Sequence, residues 1–319
     1  MRRAVLLLSV LTAAMPAAAQ TDGPDGGRVT APALEQVDPG RFTTRPADLA
    51  YGAYQRGYYL TALNIATPLA IAGNAAAQTL IAEIYLRGLG VPLDIAKATE
   101  WYEKAAEQDV SEAVFQLAMI LLDGGEQFGD RDRAWRLMQQ AADGGHRIAQ
   151  FNLAQMMLDR SRNPEEEERA VVYYQRAAEA GLADAQYAMA EIYRYGAGER
   201  EADEDEARRW LEKAALQGHD TAQIELGTWL VESGNGSPDQ KAGFSWLMRA
   251  AGAGNPAAQT RVAKLYRAGV GTEPDRIAAA TWYLRARRVG LIDSLMEDYL
   301  GGLTEEELRL ATLNSERLR

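Results

Sequence analysis

An alanine recurs along this chain at Ala77, Ala113, Ala149, Ala185, Ala222 and Ala258, in steps of 36, 36, 36, 37 and 36 residues. A period held that closely leaves few folds open, because each unit must bury its apolar surface on copies of itself before and after it. The period carries more than one residue. Five positions after each anchor stands a small residue (Ala82, Ala118, Ala154, Ala190, Gly227, Ala263), and eight after it a large one (Tyr85, Leu121, Met157, Tyr193, Leu230, Tyr266). A second series, Trp101, Leu137, Tyr173, Trp210, Trp246 and Trp282, keeps the same register, and each member is followed four residues later by an alanine.

These spacings describe two amphipathic helices per repeat. Ala77, Ile81, Ala82, Ile84 and Tyr85 share one face of a 3.6-residue helix, and Ala98, Trp101, Tyr102, Ala105 and Ala106 share a face of the next. The small residues let helix backbones approach while the aromatic fills the gap between turns, so the tryptophans and tyrosines of the second series are expected to be core. Glycine pairs break the chain between the helices: Gly88 and Gly90, Gly124 and Gly125, Gly196 and Gly198, Gly234 and Gly236, Gly269 and Gly271. Gly181, Gly218 and Gly254 stand where left-handed caps are expected at the ends of second helices.

Three strings of the first clear copy, Ala75-Ala76-Ala77-Gln78, then Tyr85-Leu86-Arg87-Gly88-Leu89-Gly90-Val91, then Lys97-Ala98-Thr99-Glu100-Trp101-Tyr102-Glu103-Lys104-Ala105-Ala106-Glu107-Gln108, resemble the Sel-one-like repeat, a relative of the tetratricopeptide repeat. The resemblance runs over residues 47–290. It implies an all-α fold, an α-solenoid wound as a right-handed superhelix of about seven helix pairs. Two copies depart from the pattern: Arg160 to Pro164 replaces one glycine loop, and the earliest copy, Tyr51 to Ala72, is compressed and lacks it. Residues 291–319 read as C-terminal capping helices, with a capping box at Thr304 and Glu307 and with Leu308, Ala311 and Leu318 turned to the last repeat.

Ahead of the repeats, Arg2 and Arg3 precede an apolar stretch to Met15 and the small-residue ending Pro16-Ala17-Ala18-Ala19, the pattern of a signal peptide cleaved after Ala19. The mature chain is therefore expected in the periplasm. Residues 20–46 are rich in Gly and Pro and poor in aliphatics, a flexible linker. Removing Arg2 and Arg3 leaves 32 basic against 45 acidic residues, a net charge of −13. Such a surface repels phosphate backbones and anionic headgroups, which argues against nucleic acid as a partner and against membrane insertion after signal cleavage.

Chemistry is hard to find in these residues. There is no cysteine, so thiol catalysis, disulfides and Cys-based metal sites are excluded. His146 and His219 occupy matching loop positions two repeats apart and are expected to be surface residues, not metal ligands or general bases. The runs Glu165 to Glu168 and Glu199 to Glu206 precede second helices and read as solvated helix starts. Gly88-Leu89-Gly90 follows no strand and lacks the lysine-serine of a phosphate loop. No catalytic residue, cofactor or metal is expected, and the chain does not read as an enzyme.

What varies against the constant core is a surface. Positions three, six and ten after each anchor share a first-helix face away from the packed one. The likeness to tetratricopeptide arrays puts this face on the concave wall, where it carries Gln116, Asn152, Gln155, Asp159, Glu191, Tyr195, Glu225 and Glu232 as partner-binding candidates. Its carboxylates are expected to be exposed and to tolerate charge reversal, and the wall changes sign toward the end at Arg261 and Lys264.

The resemblance implies a periplasmic protein–protein interaction scaffold or regulator of envelope proteins, with a membrane sensor kinase or cell-wall machinery among the partners such proteins hold. A cell-envelope assembly or integrity factor is the alternative. A hydrolase of the β-lactam-linked, cysteine-rich type is disfavoured, because those relatives carry paired cysteines in each repeat and this chain has none.

Overall fold

The computed structural model describes residues 46–124, 129–198, 200–232 and 237–317. The signal peptide and nearly all of the linker lie outside the described residues, as do Gly125, Gly234, Gly236, Glu199 and Leu318.

The described residues form sixteen helices, with no β-structure beyond an isolated bridge between Ala197 and Arg200. They run as α1 Pro46–Gln55 and α2 Tyr59–Ile71, α3 Ala75–Arg87 and α4 Ile95–Ala106, then α5 Ser111–Asp123 and α6 Arg131–Asp143. Next come α7 Arg147–Arg160 and α8 Pro164–Glu179, α9 Ala183–Tyr195 and α10 Glu204–Leu216, α11 Asp220–Glu232 and α12 Ser237–Gly252, and α13 Pro256–Ala268 and α14 Arg276–Arg288. These are seven consecutive pairs, followed by α15 Ser294–Gly301 and α16 Glu305–Arg317. Each second helix packs on its own first helix and on the first helix of the following pair. At the end, α16 takes that place on α14, while α15 touches α14 only lightly. The capping box is formed: Thr304 Oγ1 accepts from Glu307 N at 3.2 Å and Thr304 N donates to Glu307 Oε2 at 2.8 Å.

The anchor alanines and the small residues five positions later are buried throughout. The second series behaves differently from expectation. Trp210 and Trp282 are buried, but Trp101, Leu137, Tyr173 and Trp246 are only half-buried. The deepest layer is the residue after each of them: Tyr102, Met138, Tyr174, Leu211, Leu247 and Tyr283, none more than 3% exposed. Each ring of the series, buried or half-buried, lies beneath a cation one turn on. The Lys104, Lys213 and Arg249 charges stand 4.2, 3.6 and 4.8 Å from the Trp101, Trp210 and Trp246 centroids. Arg176 covers Tyr173 and Arg285 covers Trp282 in the same way. Where the ring is replaced by Leu137, the position one turn on is the uncharged Gln140. A cation has no reason to sit over an aliphatic, whereas over an exposed-edge ring it gains roughly 0.5–1 kcal/mol.

Polar side chains set the helix boundaries. Asp94, Asp130, Asn163, Asp203 and Asp275 cap second helices, each accepting from the backbone N–H three residues on. The acidic runs follow these caps, with Glu165, Glu166 and Glu167 in the first turn of α8 and Glu204, Asp205 and Glu206 in that of α10, where the helix dipole favours them. Glu168 is the exception: it is half-buried and paired with Arg200 at 3.1 Å. At the other end, Gly181, Gly218 and Gly254 have φ of +83°, +86° and +102°, the left-handed caps expected of them.

A glutamine ties one pair to the next at every boundary but that of α4 with α5, where Val114 takes its place. Gln78, Gln150, Gln186, Gln223 and Gln259, each one residue after its anchor, are buried and donate Nε2 to the carbonyl of Ala70, Ala142, Ala178, Ala215 and Ala251 at 3.0–3.2 Å. These carbonyls belong to the last turn of the preceding second helix, where each also accepts from the N–H of the glycine three residues on, Gly73, Gly145, Gly181, Gly218 and Gly254, so the glutamine takes the second lone pair. Gln78 and Gln186 are themselves satisfied by Gln108 and Gln217 at 2.8 and 2.6 Å. Gln150 Oε1 has no partner, because the matching position holds Ala180.

One boundary between helices is tighter than the rest. Where other pairs oppose two alanines, such as Ala82 with Ala98 and Ala190 with Ala207, α11 and α12 oppose Gly227 and Gly243. A Cβ added at Gly243 would lie 2.6 Å from the Gly227 carbonyl oxygen and 2.8 Å from Val231 Cγ2. Gly243→Ala should therefore lower stability: overpacking costs about 1–3 kcal/mol, against about 1 kcal/mol of helix propensity gained. In urea unfolding the midpoint should fall with an unchanged slope; a raised midpoint would show that the two helices can part at no cost.

Candidate functional site

The eight surface candidates all lie on first helices, but their settings differ. Asp159, at the end of α7, and Glu232, at the end of α11, are exposed. Gln116 is half-buried and donates to Glu112 Oε1 at 2.8 Å, and Asn152 Nδ2 stands 3.8 Å from Met119 Sδ. Gln155 is half-buried on α7. None of these five meets another of the eight.

Glu191, Tyr195 and Glu225 are brought together, by a residue the periodicity did not single out. Arg194 Nη1 donates to Glu225 Oε2 at 2.8 Å, across the boundary from α9 to α11, and stands 2.8 Å from Glu191 Oε1 on its own helix. The Tyr187 hydroxyl donates to the other oxygen of Glu225 at 2.7 Å. The Arg194 guanidinium also lies 6.0 Å from the Tyr195 ring centroid and 5.9 Å from that of Trp229. Glu191 and Glu225 are thus half-buried members of an inter-repeat network and not solvated charges. The expectation that they tolerate charge reversal is corrected accordingly, since a lysine at either place would press an ammonium on Arg194. The reason is geometric: Glu191 and Glu225 lie on the sides of α9 and α11 that face each other, where Arg194 reaches both, whereas Asp159, Tyr195 and Glu232 at the helix ends are exposed.

The electrostatics follow from that crowding. Burial holds the Glu191 carboxyl above its ordinary range; Arg194 opposes the shift and Glu225 adds to it. Burial, then the hydrogen bond to Glu225, pushes the Tyr187 hydroxyl up. Glu191 Oε1, despite its nearness to Arg194, is buried without a hydrogen bond. A similar knot closes the start of the array, where Glu83 accepts from Tyr102 at 3.0 Å and from Arg87 at 3.1 Å. At the other end Lys264, expected as a free basic group of the wall, is tied to Asp293 at 2.5 Å, while Arg261 is exposed.

Both histidines are helix caps. His146 Nδ1 accepts from Ala149 N and His219 Nδ1 from Ala222 N, each at 3.1 Å. They stand in register with Asn74 and Asn255, which cap α3 and α13 in the same way. Their rings stack on Phe115 at 4.4 Å and Tyr187 at 4.7 Å, and the outer nitrogens face Glu112 at 3.0 Å and Asp184 at 3.5 Å. The His146 hydrogen bond holds the Glu112 carboxyl below its usual range. Among the described residues no three His, Asp or Glu side chains are grouped to hold a metal ion, and no helix is long and apolar enough to cross a membrane.

The family described as Sel1 repeat matches six successive segments, residues 75–110, 111–146, 147–182, 183–219, 221–255 and 256–290, more than half of the chain. Among solved structures, a protective antigen of uropathogenic Escherichia coli strains displaying an SLR fold is 27% identical with a TM-score of 0.69. That match covers 86% of this chain and 60% of the antigen, so the chain spans less than two thirds of that protein. A Sel1 repeat protein from Oxalobacter formigenes is 28% identical with a TM-score of 0.65, over 81% of this chain and 76% of that one. The comparison with curated proteins found no match.

The cap at His219 makes stability depend on pH in a definite direction. Nδ1 can accept the Ala222 N–H only when the ring is neutral, and burial holds the ring's pKa below its ordinary 6.5 although Asp184, Asp220 and Glu225 pull it up. A depressed histidine adds stability that is present above the unfolded value and lost as pH falls through the folded one. Lowering pH from about 7.5 to about 5.5 should therefore cost the native chain up to about 1 kcal/mol more than it costs His219→Asn, whose amide caps without titrating. Equal losses in thermal melting would show that His219 plays no part in the pH dependence.

Proposed function

The chain belongs to the Sel1 repeat family, and from that premise we propose that it is a non-catalytic scaffold or regulator for envelope proteins in the periplasm. Sel1 repeat proteins generally mediate protein–protein interactions. The observation that carries the proposal is the division of labour along the array: the buried anchor alanines recur from α3 to α13, and buried glutamines and capping residues at most pairs, while the exposed and half-buried first-helix positions change from pair to pair. An unbroken stack of this kind offers a long, stiff surface on which recognition can vary without disturbing the core. The placement in the periplasm rests on Arg2, Arg3, the apolar stretch and the Ala17-Ala18-Ala19 ending. Holding an envelope sensor, such as a membrane kinase, and holding cell-wall machinery are both compatible with such a surface; the identity of the captured proteins separates them.

Proximity labelling from a C-terminal fusion, with mass spectrometry of the mature chain, tests the proposal. The first residue should be Gln20 and the labelled proteins should be periplasmic or outer-envelope ones. A chain retained in the cytosol from Met1 would overturn the location, and a purified chain that crosslinks no envelope protein would overturn the scaffold.

A further inference from the structure

The fourth and fifth family-matched repeats break the pattern of the array at one place. Nine residues after the anchor, α3, α5, α7 and α11 carry Leu86, Leu122, Leu158 and Val231, but α9 carries Arg194 and α13 carries Arg267. Seven after it the other first helices carry Ile84, Ile120, Met156, Ile192 and Leu265, but α11 carries Trp229. Arg194 and Trp229 meet, with the guanidinium 5.9 Å from the indole, and Tyr187, Glu191, Tyr195 and Glu225 complete the group. Exchanging half-buried aliphatics for a half-buried ion network generally gains no stability, so its presence here asks for a use other than holding the helices together.

We propose that this cluster receives a basic side chain, Lys or Arg, from a partner protein, and that Tyr195 and Trp229 form its walls. The inference rests on the scaffold reading and names its chemistry. The balance of charge decides the sign of the ligand. Two carboxylates converge on one guanidinium, so the group carries one excess negative charge, and Glu232 stands exposed one turn beyond Trp229. An acidic ligand would have to displace Glu191 or Glu225 from Arg194. A cation meets no such barrier: it finds the excess carboxylate charge and aromatic faces whose quadrupoles attract it. Tyr195 is 63% exposed, which gives an incoming side chain a landing surface. Tyrosine, tryptophan and arginine are also the residues that most often dominate binding energy at protein interfaces.

The test uses the full chain and a short, fluorescently labelled peptide of alternating Lys and Ala, with the Glu–Ala counterpart as control, read by anisotropy. The Lys peptide should bind and the Glu peptide should not. Tyr195→Ala should weaken binding about tenfold, as loss of a cation–π wall would. Trp229→Leu, which installs the aliphatic of Leu265 and so keeps the fold, should do the same. Tyr51→Ala removes a comparably exposed ring, 56% accessible, from α1 and should change nothing. Binding weakened equally by Tyr51→Ala and Tyr195→Ala, or no binding of the Lys peptide, would overturn the proposal. Envelope proteins captured as well by Tyr195→Ala as by the native chain would also overturn it while leaving the scaffold reading intact; a native chain that captures none removes the scaffold reading itself.

Discussion

Everything in this molecule depends on the boundary between one helix pair and the next. No pair encloses a core of its own: Tyr102, Met138, Tyr174, Leu211, Leu247 and Tyr283 are buried only because the following first helix covers them. Alanine makes that cover close, and the recurrent glutamine makes it specific. Its Nε2 reaches the last turn of one pair from inside the next, so the second lone pair of a helix-end carbonyl becomes a link between neighbours. Where Val114 replaces the glutamine, that link is absent and the pair relies on apolar packing, with Val114 itself buried.

The same boundary creates the site. Because successive first helices lie side by side, a side chain on α9 can reach one on α11, as Tyr187 and Arg194 do to Glu225. A repeat array therefore places residues about one period apart in contact without a dedicated loop. Where most other first helices carry aliphatics at the edge of the core, Arg194 and Trp229 join Tyr187, Glu191 and Glu225 in a charged aromatic cluster, above the buried layer of Met189, Leu211 and Leu226. The histidine caps tie into the same edge, since His219 stacks on the tyrosine that binds Glu225.

The period, the helix pairs, their number and the terminal cap were legible in the sequence because they are one-dimensional: each follows from spacing along a single chain. Depth was not. Trp101 and Tyr102 share an apolar face, and which of them goes deeper is decided by the angle at which the next helix crosses, which spacing does not encode. Lateral pairing was lost for the same reason, so Glu191 and Glu225 read as free carboxylates. Some of the remainder left a signal that periodicity alone passes over. The column three before the anchors holds Asn74, His146, His219 and Asn255, all capable caps, beside Val110 and Leu182, and the lysines and arginines appear one turn after aromatics but not after Leu137.

If neighbour contacts carry the stability, damage should stay local. Trp210 is buried at the boundary between the fourth and fifth family-matched repeats, and its removal costs about 3–5 kcal/mol at a site of this kind. Native-state hydrogen exchange on Trp210→Ala measures where that loss is felt. The account predicts that protection falls most in α9 to α12 and fades toward α3 and α16. A uniform fall through all the helices, as one indivisible core would give, would contradict it.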